Sequence, residues 1–151
     1  MLKNISAIAI LSISSIAFAT TPAPNTLNTK STSSQQEKTV LNTGIEITTI
    51  TKGNGAKPHE NSNVEVHYRG TFKDGKEFDS SYKRGQTITF NLKQVIPCWT
   101  EGVQHMNVGG KARLYCPSST AYGSRGAGGA VPPNTDLYFD IELVNIISDK
   151  N

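Results

Sequence analysis

The chain has 151 residues, with 15 Lys and Arg against 12 Asp and Glu, and a formal charge of +3. The basic residues are scattered singly, without a basic run or interleaved aromatic residues, so nothing indicates nucleic-acid binding. His59, His67 and His105 share no metal-ligand spacing with one another or with the two cysteines. We therefore expect no metal and no cofactor.

The first nineteen residues have the pattern of a secretory signal peptide. Lys3 precedes an apolar run from Ile5 to Phe18, and the small residues Ala17 and Ala19 are spaced as a signal peptidase requires. The alternative is a retained membrane anchor, but the serine-interrupted run is shorter than the ~20 residues needed to cross a bilayer. We expect residues 1–19 to be removed, with no stable membrane anchor, and the protein to reach the periplasm or the medium.

The next segment, residues 20–41, is rich in Thr, Ser, Asn, Pro and Gln. It offers almost no apolar surface to offset the entropy of ordering. We interpret it as a flexible polar linker. Residues 42–148 then have the size of one domain with one core.

Most of this domain alternates apolar and polar residues, and a period of two predicts strands with one buried face. The dipeptide Asp74-Gly75 predicts a tight hairpin turn between arms that carry Phe72 and Phe78. The alternating apolar positions are Ile45 and Ile47; Val64, Val66 and Tyr68; Ile88, Phe90 and Leu92; Ala112, Leu114 and Cys116; and Leu137, Phe139, Ile141 and Leu143.

One segment does not follow this alternation of apolar and polar residues. In VIPCWTEGVQHM, apolar residues recur at spacings of three and four, from Ile96 through Trp99 and Val103 to Met106. A proline at the first helical position costs no hydrogen bond, although Gly102 weakens the helix. The predicted fold class is α+β, an antiparallel sheet of five to six strands wrapped around one short α-helix.

The usual enzymatic motifs are missing from this sequence. The serines lack the elbow of small residues around an exposed nucleophile, and GAGGA lacks the spacing and the following Lys-Ser or Lys-Thr of a phosphate-binding loop. Aromatic residues are instead placed near glycine and proline turns. They either fill the core, which we favour for Phe90, or line a concave surface.

The segments VHYRGTFKDGKEFDSS, VIPCWTEGVQHM and TAYGSRGAGGAVPPNTDLYFDIELVNI occur in this order between about residues 44 and 147. Together they resemble the FKBP-type peptidyl-prolyl cis-trans isomerases, above all the exported bacterial members similar to the macrophage infectivity potentiator. The resemblance implies an isomerase that rotates X-Pro bonds in an apolar aromatic pocket and so assists the folding of exported proteins.

The resemblance also assigns site residues. It implies that the catalytic residues are Asp79, Tyr122, Phe78, Trp99 and Phe139, with Trp99 as the floor, and that the substrate-binding residues are Tyr68, Val95, Ile96, Ile88 and Val131. Three departures from better-known members affect ligand preference. The segment between Phe90 and Val95 is shorter, Ile88 replaces a frequent aromatic residue, and Ala127 replaces a histidine found in some relatives.

The two cysteines have two possible states. An even number in an exported chain favours a disulfide, and the resemblance places Cys98 at the start of the helix and Cys116 on the strand beneath it. Two buried free thiols are the alternative.

The partners implied by the resemblance are proline-containing polypeptides and macrolide inhibitors of the family. We expect a monomer, because the polar linker does not resemble the long helical dimerisation arm of larger relatives. A second hypothesis is a holding chaperone or binding module that uses the same groove for exposed apolar segments, including segments without proline.

Overall fold

The computed structural model describes residues 36–149. The predicted signal peptide, residues 1–19, and most of the predicted linker lie outside the described residues. Within the described range the chain forms seven β-strands and one α-helix: Lys38–Val40 (β1), Glu46–Thr51 (β2), Ser62–Thr71 (β3), Glu77–Ser80 (β4), Ile88–Asn91 (β5), Pro97–Val103 (α1), Lys111–Cys116 (β6) and Leu137–Asp149 (β7).

All strand pairs are antiparallel, in the order β1-β2-β6-β7-β3-β4, with β5 paired to β3. The long strands β3 and β7 form the centre of the sheet. Along β3, Val64, Val66 and Tyr68 are buried while the residues between them are only partly buried, as the period of two predicts. The predicted fold class is therefore confirmed, with one strand more than the upper estimate.

The additional strand, β1, begins inside the segment that we interpreted as linker. Its three residues are all exposed, and Lys38 forms an ion pair with Glu46 on β2, with 2.9 Å between Nζ and Oε2. A short edge strand without a buried face produces no alternation of apolar and polar residues. The ordered domain therefore starts before residue 42, and the prediction that residues 38–40 belong to a flexible linker is wrong.

The hairpin between β3 and β4 turns at Asp74-Gly75, as predicted. Gly75 has a φ of 84°, whereas Asp74 does not adopt a positive φ. The Asp74 carboxylate instead accepts a hydrogen bond from the Lys76 main-chain N–H at 2.9 Å, which closes the turn from the side chain. One glycine is thus sufficient for this turn.

Helix α1 begins at Pro97 and ends at Val103, so Met106, predicted on its apolar face, lies beyond the helix although it is buried. Gly102 has a packing role. A Cβ atom at this position would lie 2.8 Å from Cδ1 of Leu114, which is closer than side-chain carbons pack. The glycine that weakens the helix therefore lets β6 approach it.

A disulfide joins the first turn of α1 to the end of β6. Cys98 and Cys116 have their Cα atoms 5.6 Å apart, and both side chains are fully buried. The predicted pairing is confirmed, and the alternative of two free thiols is wrong. Among residues 36–149, no helix is long and apolar enough to span a membrane.

Candidate active site

A cavity of about 450 Å³ opens between the first turn of α1 and the sheet. Its lining comes from β3, β4, β5, β7, the helix, the segment just before the helix and the loop between β6 and β7. The lining residues are Tyr68, Phe78, Asp79, Phe90, Gln94, Val95, Ile96, Trp99, Tyr122 and Phe139. Eight of the ten residues that the sequence assigns to catalysis and substrate binding are among them.

Trp99 lies at the centre of the aromatic surface. Its ring centroid is 5.2 Å from that of Tyr68 and 5.4 Å from those of Phe90 and Phe139, and each of these neighbours meets it nearly edge-on. Phe78 meets Phe139 in the same way at 5.7 Å. Edge-to-face contacts hold each ring in one orientation, and all five of these rings line the cavity.

The polar wall of the cavity consists of an ionised carboxylate with fixed partners. Asp79 accepts hydrogen bonds from the Tyr68 hydroxyl at 2.5 Å and from Arg84 Nη1 at 2.6 Å. Arg84 Nη2 also donates to the Tyr68 hydroxyl oxygen at 2.8 Å. The three side chains thus form a closed ring of hydrogen bonds, and Arg84 was not identified from the sequence.

These contacts set the protonation states. Partial burial acts to raise the pKa of Asp79, but the hydrogen bonds from Tyr68 and Arg84 outweigh it and lower that pKa below its ordinary value. Burial and the hydrogen bond to Asp79 raise the pKa of Tyr68 to about 12. Partial burial and the charge of Asp79 also raise the pKa of Tyr122. At neutral pH the site therefore holds one carboxylate and two neutral hydroxyl groups.

Two hydrogen-bond donors at the rim have no partner within residues 36–149. The Tyr122 hydroxyl, at the start of the glycine-rich loop, makes no hydrogen bond there. The main-chain N–H of Ile96, just before α1, makes none either, although its carbonyl accepts from Trp99 and Thr100. Both donors can serve a carbonyl group of a bound molecule.

Two of the predicted substrate-binding residues do not line the cavity. Ile88 is partly buried against the core from β5. Val131 is buried and exchanges main-chain hydrogen bonds with Ala127, which closes the glycine-rich loop on itself. Val131 therefore fixes the shape of the loop that carries Tyr122, and it does not contact the cavity.

Two lining residues were not predicted for the site. Phe90, which we favoured as a core residue, packs against the core and also lines the cavity. Gln94 lies at the rim in the short segment before α1. Whether these two residues line the cavity depends on how much of the sheet the helix covers. The alternation of apolar and polar residues does not indicate this.

Residues 54–144 match the sequence model of the FKBP-type peptidyl-prolyl cis-trans isomerases. The chain belongs to this family. The match includes every residue that lines the cavity.

This FKBP-type chain is similar to bacterial proteins named FkpA and MIP. It is 52% identical over 103 residues to the FKBP-type peptidyl-prolyl cis-trans isomerase FkpA of Aeromonas hydrophila, covering 68% of this chain and 38% of that protein. It is 43% identical over 107 residues to the outer membrane protein MIP of Legionella longbeachae, covering 71% of this chain and 46% of that protein. The chain thus spans less than half the length of these relatives.

The fold is also found among solved structures. The crystal structure of a peptidyl-prolyl cis-trans isomerase from Pseudomonas syringae pv. tomato superimposes with a TM-score of 0.68 at 45% identity, covering 72% of this chain and 80% of that one. The predicted resemblance to the FKBP-type isomerases is therefore confirmed for the fold and for the family.

Proposed function

We propose that this domain catalyses the cis-trans isomerisation of X-Pro peptide bonds in polypeptides. The observation that carries the proposal is the cavity of about 450 Å³ whose base and walls are the rings of Trp99, Phe78, Phe90 and Phe139. Family membership supports the same activity, because the matched region contains the whole cavity.

The chemistry needs neither a nucleophile nor a transferred proton. Rotation about a peptide bond meets a barrier of about 18–20 kcal/mol because resonance holds the amide planar. A twisted amide has lost that resonance and with it much of its charge separation. A water-poor aromatic surface therefore favours the twisted amide over the planar one, which lowers the barrier.

The polar groups orient the substrate. Both oxygens of Asp79 already accept hydrogen bonds, and its charge is balanced by Arg84, so the carboxylate acts as a fixed polar wall against the rotating carbonyl and does not act as a base. Tyr122 and the Ile96 N–H donate to substrate carbonyls. Val95 and Gln94 at the rim contact the residues that flank the proline.

The test is the refolding of a model protein whose slow phase is limited by proline isomerisation. The wild-type protein should accelerate that phase, and a macrolide inhibitor of the family should abolish the effect. Phe139→Ala removes a wall and should lower kcat/KM by about tenfold or more, equivalent to ~1.4 kcal/mol of transition-state stabilisation. Tyr138→Ala is the matched control, because Tyr138 is on the same strand and packs against Tyr115 outside the cavity.

A natively folded wild-type protein that leaves the slow phase unchanged would refute the proposal. A holding chaperone would behave differently. It would suppress the aggregation of a client that contains no proline, and it would retain this activity after Asp79→Ala.

We further propose that the protein is exported to the periplasm and acts there as a monomer on folding polypeptides. The apolar run before Ala19 and the disulfide between Cys98 and Cys116 support export. Cell fractionation and N-terminal sequencing should find a mature chain that begins at Thr20 in the periplasm. Light scattering should give the mass of one chain.

A further inference from the structure

A second concave surface lies outside the cavity, between the β3–β4 turn and the segment that enters β7. Its volume is about 580 Å³. We call it the hairpin groove, and its residues are Phe72, Lys73, Asp74, Lys76, Pro132, Asn134, Thr135 and Asp136. None of them lines the cavity described above.

The hairpin groove is connected to the cavity by a row of aromatic rings. The ring of Phe72 lies 5.1 Å from that of Phe78, which is a wall of the cavity. From Phe78 the row continues to Phe139 at 5.7 Å and then to Trp99 at 5.4 Å. An extended polypeptide rises ~3.3 Å per residue, so about five residues cover this path. One chain can therefore occupy both surfaces.

The charges around the groove balance. Lys73, Asp74 and Lys76 lie on the β3–β4 turn and Asp136 lies on the segment that enters β7, so the lining is formally neutral. Both aspartates also form hydrogen bonds within the domain, Asp74 with the Lys76 N–H and Asp136 with the Tyr115 hydroxyl. A lining without net charge does not favour a charged side chain, whereas Phe72 and Pro132 offer contact surface to an apolar one.

Asn134 supplies a polar group suited to a peptide backbone. Among the described residues it is the one non-glycine residue with a positive φ, 54°, and its main-chain N–H donates to the Gly123 carbonyl at 2.8 Å. Its side-chain amide makes no hydrogen bond within residues 36–149. A carboxamide carries both a donor and an acceptor, which matches the N–H and C=O of an extended chain.

We propose that the hairpin groove is a second binding site for the polypeptide substrate, which takes an apolar side chain about five residues from the isomerised proline. Phe72 and Pro132 contact that side chain, and the amide of Asn134 pairs with the substrate backbone. This inference rests on the proposed isomerase function. Binding of a side chain in the hairpin groove makes the enzyme selective for residues beyond those that flank the proline.

The experiment compares kcat/KM for four peptides with the same X-Pro core. Leu or Ser is placed five residues before the proline in one pair and five residues after it in the other. In one of the two pairs, the Leu peptide should be better than the Ser peptide by roughly fivefold, the gain expected from covering about half of a leucine side chain. This ratio should not change when the salt concentration is raised, because the contact is apolar. Equal values within both pairs would overturn the proposal.

Variants of the groove assign the effect to its residues. In Phe72→Ser the Leu-to-Ser ratio should fall to about 1, whereas Phe72→Leu should keep most of it. Asn134→Gly retains the positive φ and removes the side-chain amide. It should lower kcat/KM for the Leu peptide and the Ser peptide of the responsive pair alike, and so leave the Leu-to-Ser ratio intact. A ratio that survives in Phe72→Ser would contradict the assignment.

A failure of the proposed function can be told apart from a failure of this inference. If no peptide is isomerised, fluorescence anisotropy of the same labelled peptides measures binding directly. The Leu peptide should still bind more tightly than the Ser peptide in the wild type, and it should lose this advantage in Phe72→Ser. Equal binding of both peptides would refute the groove as a substrate site.

Discussion

The disulfide between Cys98 and Cys116 should contribute substantially to stability. It joins residues 18 positions apart, and in the chain-entropy model a loop of this length restricts the unfolded chain by about 3 kcal/mol. Both cysteines are fully buried, so their replacement also removes packing contacts. We expect the double variant Cys98→Ala, Cys116→Ala to lose about 3–4 kcal/mol of unfolding free energy.

The same change can be expressed as a melting temperature. A domain of about 110 residues loses roughly 4 °C per kcal/mol, so the variant should melt roughly 12–16 °C lower. Urea unfolding of both proteins under non-reducing conditions gives the free energies, and differential scanning calorimetry gives the temperatures. Alkylation of the denatured wild type followed by intact-mass measurement should find no free thiol.

Two results would refute this reasoning. Two alkyl groups on the denatured wild type would mean that the bridge is absent. A double variant within about 1 kcal/mol of the wild type would mean that the bridge does not constrain the unfolded chain as the entropy model requires. The control is the wild type incubated with reductant under native conditions and freed of it before melting, which should keep its melting temperature because the bridge is buried.

Three further predictions concern the site. A Cβ atom on Gly70 would lie 2.5 Å from Cζ of Phe78, so Gly70→Ala should displace the Phe78 ring from the cavity wall. We expect kcat/KM to fall by roughly tenfold and the free energy of unfolding in urea to fall by about 1–3 kcal/mol. Unchanged kinetics would contradict this. Gly126 has a φ of 65°, and a Cβ atom there would lie 2.4 Å from a main-chain oxygen, so Gly126→Ala should lower the free energy of unfolding by about 2 kcal/mol or more. The control is Gly129→Ala, whose Cβ would meet nothing within 4 Å and which should lower the free energy of unfolding by under ~0.5 kcal/mol. The lowered pKa of Asp79 means that its ionised carboxylate contributes to stability fully above its unfolded pKa of ~3.9, and that this contribution is lost as the pH falls through the lower folded value. Because Asp79 stays ionised above that range, the isomerisation rate measured from about pH 5 to 9 should be flat, and a change in rate around pH 6–7 would contradict this.

The elements that have one buried face were predictable. In β3 and β7 the apolar residues alternate because one side of each strand covers the core, and in α1 the spacing of Trp99 and Val103 indicates a helix. Strand β1 was not predictable in this way, because an edge strand with three exposed residues has no face to distinguish. Its pairing with β2 depends on main-chain hydrogen bonds, and every residue except proline carries the same main-chain donor and acceptor, so these bonds leave no pattern in the sequence.

The site was predicted through motifs more than through patterns. Trp99, Phe78 and Asp79 lie in segments whose order and spacing resemble one family, and the structure brings them to one cavity. Arg84 was missed because a charged residue in an exposed turn usually faces water. The turn at Tyr82–Arg84 directs its guanidinium group back to Asp79, and the one available signal was an arginine five residues after that aspartate.

Ile88 is the opposite case, a residue that the sequence assigns to the site and that does not line the cavity. The resemblance placed it at a wall, but a branched aliphatic side chain on β5 packs against the core, and the larger ring of Phe90 reaches the cavity from the same strand. Side-chain size decides this outcome, and residue alternation alone does not contain that information.

The position of the disulfide distinguishes two parts of the cavity, one on a helix that is bonded covalently to the sheet and one on the segments around the opening. Cys98 precedes Trp99 in the first turn of α1, so the bond to β6 ties the base of the cavity covalently to the sheet. Under the proposed function, a bulky residue beside the proline meets Tyr122 and Gln94, both on segments outside the helix and the strands. Under the proposed function, we therefore expect tolerance for different neighbours of proline to depend on the opening of the cavity, and recognition of the proline ring to depend on its covalently held base.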